Sequence, residues 1–394
     1  MSPLRLALAY LAARPLATAL HVLMLAIGVG TLVLLLLFTH QAEERLARDA
    51  RPVDLVVGAK GSPLQLILSS LLQADVPTGN IRHDAALALA SNPMIAQAVP
   101  VAMGDSYLGY RIVGTEPAYL GLYGAKVERG RVFAAPMEAV VGADVARRAG
   151  IADGAQLVGN HGLAAGGGAH GAHPYTVVGV LGRTGTVVDR LVVTSLESVW
   201  EVHEDAAGAG AAAKPREVTA LLVRYRTPLA AATLPRQVNA TTMMQAASPA
   251  AELTRLMQLV GAGADAVRVL ALVLMASAAL SMLAALSAAL QERRHDLALL
   301  RMLGARPATL FALAACEGVT LVVTGVILGV ALGHGAAEAL GRWIARSNAW
   351  SVTGFTWVPQ EAFLALAVLA AGAATCLLPA IQAYRRDPAL LLKR

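Results

Sequence analysis

The chain has 394 residues, 56% hydrophobic, 15% charged and only 4% aromatic, with a mean hydropathy of +0.58, a composition that excludes a disordered chain and points to a membrane protein. Its formal net charge is +6, and its two cysteines, Cys316 and Cys376, lie inside apolar runs, which excludes a disulfide framework. No stretch matches GxxxxGK[ST], and the nearest candidate, Gly58-Ala-Lys-Gly-Ser, lacks the spacing of a phosphate loop, so ATP hydrolysis is not expected of this chain.

A helix crosses the hydrocarbon core with about 20 apolar residues. Residues 1–15 read as a cytoplasmic amphipathic segment, and Leu16–Phe38 as a first span without a formal charge, broken only by His21. Its apolar core exceeds the ~7–15 residues of a signal peptide and no small-x-small cleavage site follows, so it reads as an uncleaved anchor. Residues 39–266 form a large insert, long enough to bury a core of its own.

Within the insert, strand-like runs occur at Val53–Val57, Tyr175–Val180, Arg190–Thr194 and Leu221–Tyr225, and helical patterns at Pro63–Leu72, Arg82–Ser91 and Glu138–Ala149. The fold class expected is therefore a membrane protein of four transmembrane helices, with one large mixed α/β extracytoplasmic domain between the first and second. Lys60 and Ser62 at a helix start suit an anion, but Pro63 at the first helical position explains the same residues structurally. The Gly/Ala tract 205–213 reads as a mobile loop. A helical pattern over Ala250–Asp265 leads into the second span, so the domain is expected to sit on helical stalks.

The second span occupies 267–290, uncharged from Val269 to Leu290, and 291–307 form a short loop. The third occupies 308–333 and carries Glu317; a loop over 334–361 leads to the fourth at 362–382, uncharged from Phe363 to Ile381, and a tail over 383–394. The N-terminal segment, the 291–307 loop and the tail hold ten bases against three acids, whereas residues 39–266 sum to −1. Because excess Lys and Arg mark the cytoplasmic side, both termini and the loop are expected inside, and the large domain outside. The positive charge is then a topology signal, and a nucleic-acid partner is unnecessary.

The loop Gln291-Glu-Arg-Arg-His-Asp-Leu-Ala-Leu-Leu-Arg-Met-Leu-Gly-Ala-Arg-Pro places Leu297, Leu300 and Leu303 at three-residue intervals beside arginines, with Gly304 poised to end the turn. Such an amphipathic helix either lies in the lipid interface or docks its apolar ridge on a cytoplasmic partner. The sequence Glu-Arg-Arg-x-Asp-Leu-Ala-Leu-Leu-Arg-Met-Leu-Gly-Ala resembles the FtsX-like permeases, the group that includes MacB and the LolC/LolE lipoprotein extractors. The tail Leu378-Pro-Ala-x-x-Ala-Tyr-Arg-Arg-Asp-Pro-Ala-Leu-Leu-Leu-Lys is similar to that family's closing signature, and Glu317 matches its pattern.

The resemblance covers essentially the whole chain. It implies a dimer of permeases in the inner membrane, formed with a second copy or a related chain, and two ATPase subunits carrying ATP and Mg. Here only about 15 residues precede the first span, so the ATPase (MacB- or LolD-like) is expected on a separate polypeptide. By the same resemblance Glu292, Arg293, Asp296, Leu297, Leu300, Arg301 and Gly304 are the candidates for the ATPase contact, leucines supplying affinity and charges register.

Inside the membrane, Glu317 is costly in lipid and is expected to face another helix or a polar cavity in a structural role. Gly325, Gly329 and Gly333 form a small-xxx-small ridge on the third span, and Ser277, Ser281, Ala285 and Ala289 one on the second. These ridges fit packing within a subunit or across a dimer. No continuous polar path suited to a small-solute channel is present.

Four of the nine histidines, His161, His170, His173 and His203, fall close together in sequence around a glycine-rich stretch. His170 and His173 can place two imidazoles on one zinc ion, with His161 as a third ligand and His203, Glu201, Asp205 or water as a fourth. A solvated hairpin tip explains the same composition. The loop also resembles a subgroup of these permeases associated with zinc-responsive systems.

The function implied is mechanotransmission: ATP-driven closure inside performs export or extraction work outside, on a lipoprotein, peptide, amphiphile or metal complex, with room for an outer partner protein. The alternative is a signalling module like FtsX itself, regulating cell-wall hydrolases without transport. A metalloenzyme lacks support, since no H-E-x-x-H motif occurs.

Overall fold

The computed structural model describes residues 2–162, 173–205, 215–292, 299, 302, 304–345 and 352–385. It divides into two compact units, Met1–Ala42 with Val260–Arg394, and Glu43–Leu259. The first contains the apolar helices and the second the mixed α/β domain.

Among the described residues, five long or apolar helices belong wholly or partly to the first unit: Pro3–Ala13, Pro15–Ala50, Pro249–Glu292, Pro307–Ala345 and Pro359–Arg385. Each opens on proline, whose missing N–H costs nothing in the first turn and whose fixed φ suits helix entry. The last four are long and apolar enough to cross a membrane, and we number them as transmembrane helices 1 to 4. The N-terminal helix packs Ala7 against Leu310 and Leu313 of transmembrane helix 3, while Leu4 and Leu8 stay exposed.

Helix 3 lies against helix 1 along a glycine seam. A Cβ added at Gly325, Gly329 or Gly333 would stand 2.7, 2.6 or 2.7 Å from side-chain carbons of Leu25, Val29 or Val33. One at Gly30 would stand 3.0 Å from the Gly329 carbonyl oxygen. The small residues let two backbones approach, so packing rather than hydrophobicity holds helices that lipid would solvate equally well.

The second unit is built on one large sheet. Its strands run in the order Met244–Ala247, Leu55–Ala59, Ala220–Tyr225, Ile95–Tyr107, Tyr110–Thr115, Val192–Ser195, Glu138–Val141, Tyr175–Leu181 and Val127–Gly130. The pairs 110–115 with 192–195 and 138–141 with 175–181 are parallel; the others along this path are antiparallel. Side chains alternate between faces: Val56 and Leu222 enter one core with Leu66, Ile67 and Tyr119, whereas Leu55, Val57, Leu221 and Val223 enter another with Trp200, Leu234 and Val238. Each fully buried Val, Leu or Ile of this kind contributes roughly 1.5–3 kcal/mol.

The helix expected over Glu138–Ala149 is a strand, Glu138–Val141, followed by a helix, Ala143–Ala149. Val140 and Val141 are fully buried and pair with Val193 and Val192. Gly142 then passes so near the Val188 carbonyl that a Cβ would stand 2.2 Å from its oxygen. Ser62 caps the helix Pro63–Ser70 by accepting from Gln65 N (3.4 Å), in keeping with the structural explanation of that segment. The Gly/Ala tract lies almost wholly outside the described residues.

Candidate functional site

Glu292, the last described residue of transmembrane helix 2, has an exposed carboxylate that accepts from the exposed Arg14 guanidinium at the junction of the two N-terminal helices. Arg293, Asp296, Leu297, Leu300 and Arg301 lie outside the described residues. Leu299 and Met302 are helical in backbone and 46% and 61% exposed. Gly304 turns with φ +94°, a conformation other residues adopt at a steric cost, and helix 3 begins three residues later at Pro307. The described residues of this stretch thus expose two apolar side chains ahead of a glycine turn.

Glu317 is 5% exposed and lines a small cavity of about 60 Å³ with Tyr10, Arg14, Thr18 and His21 among apolar neighbours. Thr18 donates to the Leu11 carbonyl at 2.9 Å. His21 sits between the Ala17 carbonyl, 2.5 Å from Nδ1, and Ser281 Oγ, 3.2 Å from Nε2, so it bridges transmembrane helices 1 and 2. Gly325, Gly329 and Gly333 face helix 1 of the same chain.

A polar group that sequence reading missed lies at the other end of helix 3. His334 places Nδ1 2.6 Å from the Gly354 carbonyl and Nε2 2.8 Å from Glu361. Through its two ring nitrogens the histidine ties the end of helix 3 to the Gly354 backbone and to the start of helix 4. The other Glu361 oxygen accepts from Val358 N at 2.9 Å, and Trp357 packs 4.5 Å from the imidazole. The signal available was a histidine just past an apolar run and a glutamate just before the next.

In the α/β unit, His161 lies opposite Asp105 in the pairing of Asn160–His161 with Ile95–Tyr107. His203, on the helix Leu196–Asp205, has Nδ1 2.8 Å from the Val199 carbonyl, and Nε2 lies against Gly104. His170 lies outside the described residues and His173 is half-buried at the start of the following segment. Among the described residues, no three His, Cys, Asp or Glu side chains come together as a metal-binding group.

The same unit buries charge where the chain leaves transmembrane helix 1. Asp49 is 3% exposed, accepts from Val187 N at 2.7 Å, and is flanked by Arg45, Arg190 and Arg48. Asp189, 2% exposed, accepts from Thr184 N and Oγ1 and from Gly185 N. Burial pushes the nearby Tyr119 and Tyr123 hydroxyls above their usual range and lowers the Arg190 guanidinium.

The family profile for the MacB-like periplasmic core domain matches residues 18–241, and that for the FtsX-like permease C-terminal region matches 268–388. Among solved structures, the periplasmic region of MacB from Actinobacillus actinomycetemcomitans is 11% identical with a TM-score of 0.35, covering 54% of this chain and 97% of that one. The extracellular domain of the noncanonic ABC-type transporter YknZ from Gram-positive bacteria is 14% identical with a TM-score of 0.31, covering 49% and 98%. No curated protein matches by sequence.

Proposed function

The chain belongs to the family of FtsX-like permeases with a MacB-like periplasmic core domain, and from that premise we propose that it is the membrane subunit of an ABC transporter powered by a separate ATPase polypeptide. Two permease chains and two ATPase subunits form the working unit, with both termini and the 291–307 loop in the cytoplasm. ATP-driven closure pushes on that loop, and the outer domain performs export or extraction on a lipoprotein, peptide or amphiphile.

The observation that carries this reading is the FtsX-like match over 268–388, which encloses the loop. Its exposed Leu299 and Met302 and its terminal Gly304 suit a docking helix. Mechanical transmission is supported by the two helices that flank the α/β unit: Pro15–Ala50 and Pro249–Glu292 each contribute residues to both units without a break.

Reconstitution with the cognate ATPase tests the coupling. Leu300→Asp is expected to abolish stimulation of ATP hydrolysis while insertion and dimerisation persist; normal stimulation would overturn the assignment of the loop. Nucleotide-dependent cargo release separates transport from signalling, because a purely regulatory permease releases none. Zinc enters as a ligand of the histidine loop. Calorimetry of the full chain is expected to show binding that the combined His161→Ala, His170→Ala and His173→Ala variant lacks, and equal heats would remove zinc from the function.

A further inference from the structure

Three of the four tryptophans lie between positions 343 and 357 in a chain with only 4% aromatic residues. The fourth, Trp200, is 9% exposed in the core of the α/β unit, whereas Trp357 is 71%, Phe355 81%, Phe363 73% and Trp343 68% exposed. Exposed rings of this size in a folded protein call for an occupant.

The backbone beneath them identifies it. Gln41 donates from Nε2 to the Thr353 carbonyl and accepts from Thr353 N, both at 2.9 Å. Glu338 accepts from Thr353 Oγ1 and Gly354 N, at 3.2 and 3.1 Å. His334 and Glu361 take the Gly354 carbonyl and Val358 N. These side chains bond the backbone at Thr353, Gly354 and Val358 from the protein side, while Phe355 and Trp357 stay exposed. Internal pairing of this kind is what a segment in contact with lipid requires, since no water is there to bond its backbone.

Depth follows from helix geometry. The uncharged stretch Phe363–Ile381 rises roughly 28 Å at 1.5 Å per residue, which matches a hydrocarbon core of about 30 Å. Its outer edge therefore falls near Phe363, and Trp357 is held at that level through His334 and Glu361. Trp343 stands nine residues beyond His334 on one continuous helix, roughly 14 Å farther out and past a headgroup layer of about 5–8 Å.

We propose that Phe355, Trp357 and Phe363 form a lipid-contacting surface that seats the outer ends of transmembrane helices 3 and 4 among the phospholipids of the outward-facing leaflet. Tryptophan and its neighbours suit that layer because an apolar ring and a polar edge are both accommodated. Trp343 belongs to the same cluster in sequence but not to this surface. The inference does not depend on the identity of the ATPase or the cargo.

The test uses full-length protein in phosphatidylcholine vesicles whose acyl chains are brominated near the glycerol end, compared with unbrominated vesicles. One variant keeps only Trp357, the other tryptophans being changed to phenylalanine; a second keeps only Trp343. Emission from Trp357 is expected to fall by about twofold, and that from Trp343 to change by less than about a tenth, as their depths require. Unquenched Trp357, or equal quenching of both, would overturn the proposal; the first result would assign the surface to a protein partner. Should either variant misfold, Trp357→Phe alone in an otherwise unchanged chain is expected to remove the greater part of the bromine-sensitive emission. Its full persistence would equally overturn the proposal.

Discussion

The two units of this chain solve the problem of close packing in opposite ways. In the membrane unit, helices 1 and 3 meet by removing side chains: Gly325, Gly329 and Gly333 accept Leu25, Val29 and Val33 where no Cβ fits. In the α/β unit, strands meet by adding them, with β-branched residues filling both faces of the sheet. Polar groups differ likewise. The membrane unit keeps single polar groups apart from one another, such as the buried Glu317 and Glu361 and the partly buried His21 and His334, while the α/β unit concentrates Asp49, Asp189 and Arg190 in one charged knot. Lipid offers no hydrophobic drive between helices, so contact must come from shape. Water supplies that drive to the sheet, which can then carry the desolvation of a few well-bonded charges.

The largest effect should come from the knot. Asp49→Ala removes the acceptor of Val187 N and the negative charge between Arg45 and Arg190. Loss of one partner from such a group costs about 3 kcal/mol, read as a lower denaturant midpoint for the full chain. Asp49→Asn retains an acceptor and should fall between wild type and alanine. An alanine variant within about 0.5 kcal/mol of wild type would show the knot to be ordinary surface.

The membrane seam should yield next. Gly329→Val drives a branched side chain against Val29, whose Cβ would lie 2.6 Å from the new one, and overpacking of this kind costs about 1–3 kcal/mol. Gly335 has nothing within 4 Å of its Cβ position, so Gly335→Val is the control and should leave the thermal midpoint in detergent nearly unchanged. Equal responses at both positions would deny the seam its role.

These two regions also differed in how much of them was legible. The apolar spans and the glycine ridge can be read from composition and spacing because membrane packing leaves a one-dimensional trace, uncharged length and small residues four apart. Which partner the ridge packs against is not in the spacing, since a second copy would accept the same pattern. The central hairpin, Ile95–Tyr107 with Tyr110–Thr115, went unread because Pro100 and Gly104 interrupt the longest strand. The register shift between Met103 and Ser106 absorbs the irregularity. The knot was illegible for a different reason: Asp49 and Val187 are 138 residues apart, and nothing local marks either as buried. His334 and Glu361 are only 27 apart, yet each read as an ordinary loop flank.

The smallest effect sharpens the comparison by asking whether an exposed ion pair in the α/β unit matters at all. Glu138 accepts from the Arg131 guanidinium and from Ala134 N and Ala135 N, and these bonds to its charged form hold its carboxyl down at about 2, against an ordinary 4.5. A carboxylate whose acidity rises on folding adds stability that is fully present above about 4.5 and is lost as pH falls from there towards about 2. Glu138→Gln should therefore lower the thermal midpoint at neutral pH by a small amount, because Arg131 is 55% exposed and solvent screens the pair. The gap between wild type and variant should close on acidification through that window. A gap independent of pH would assign the contribution of Glu138 to the backbone bonds that glutamine can also accept, and not to its charge.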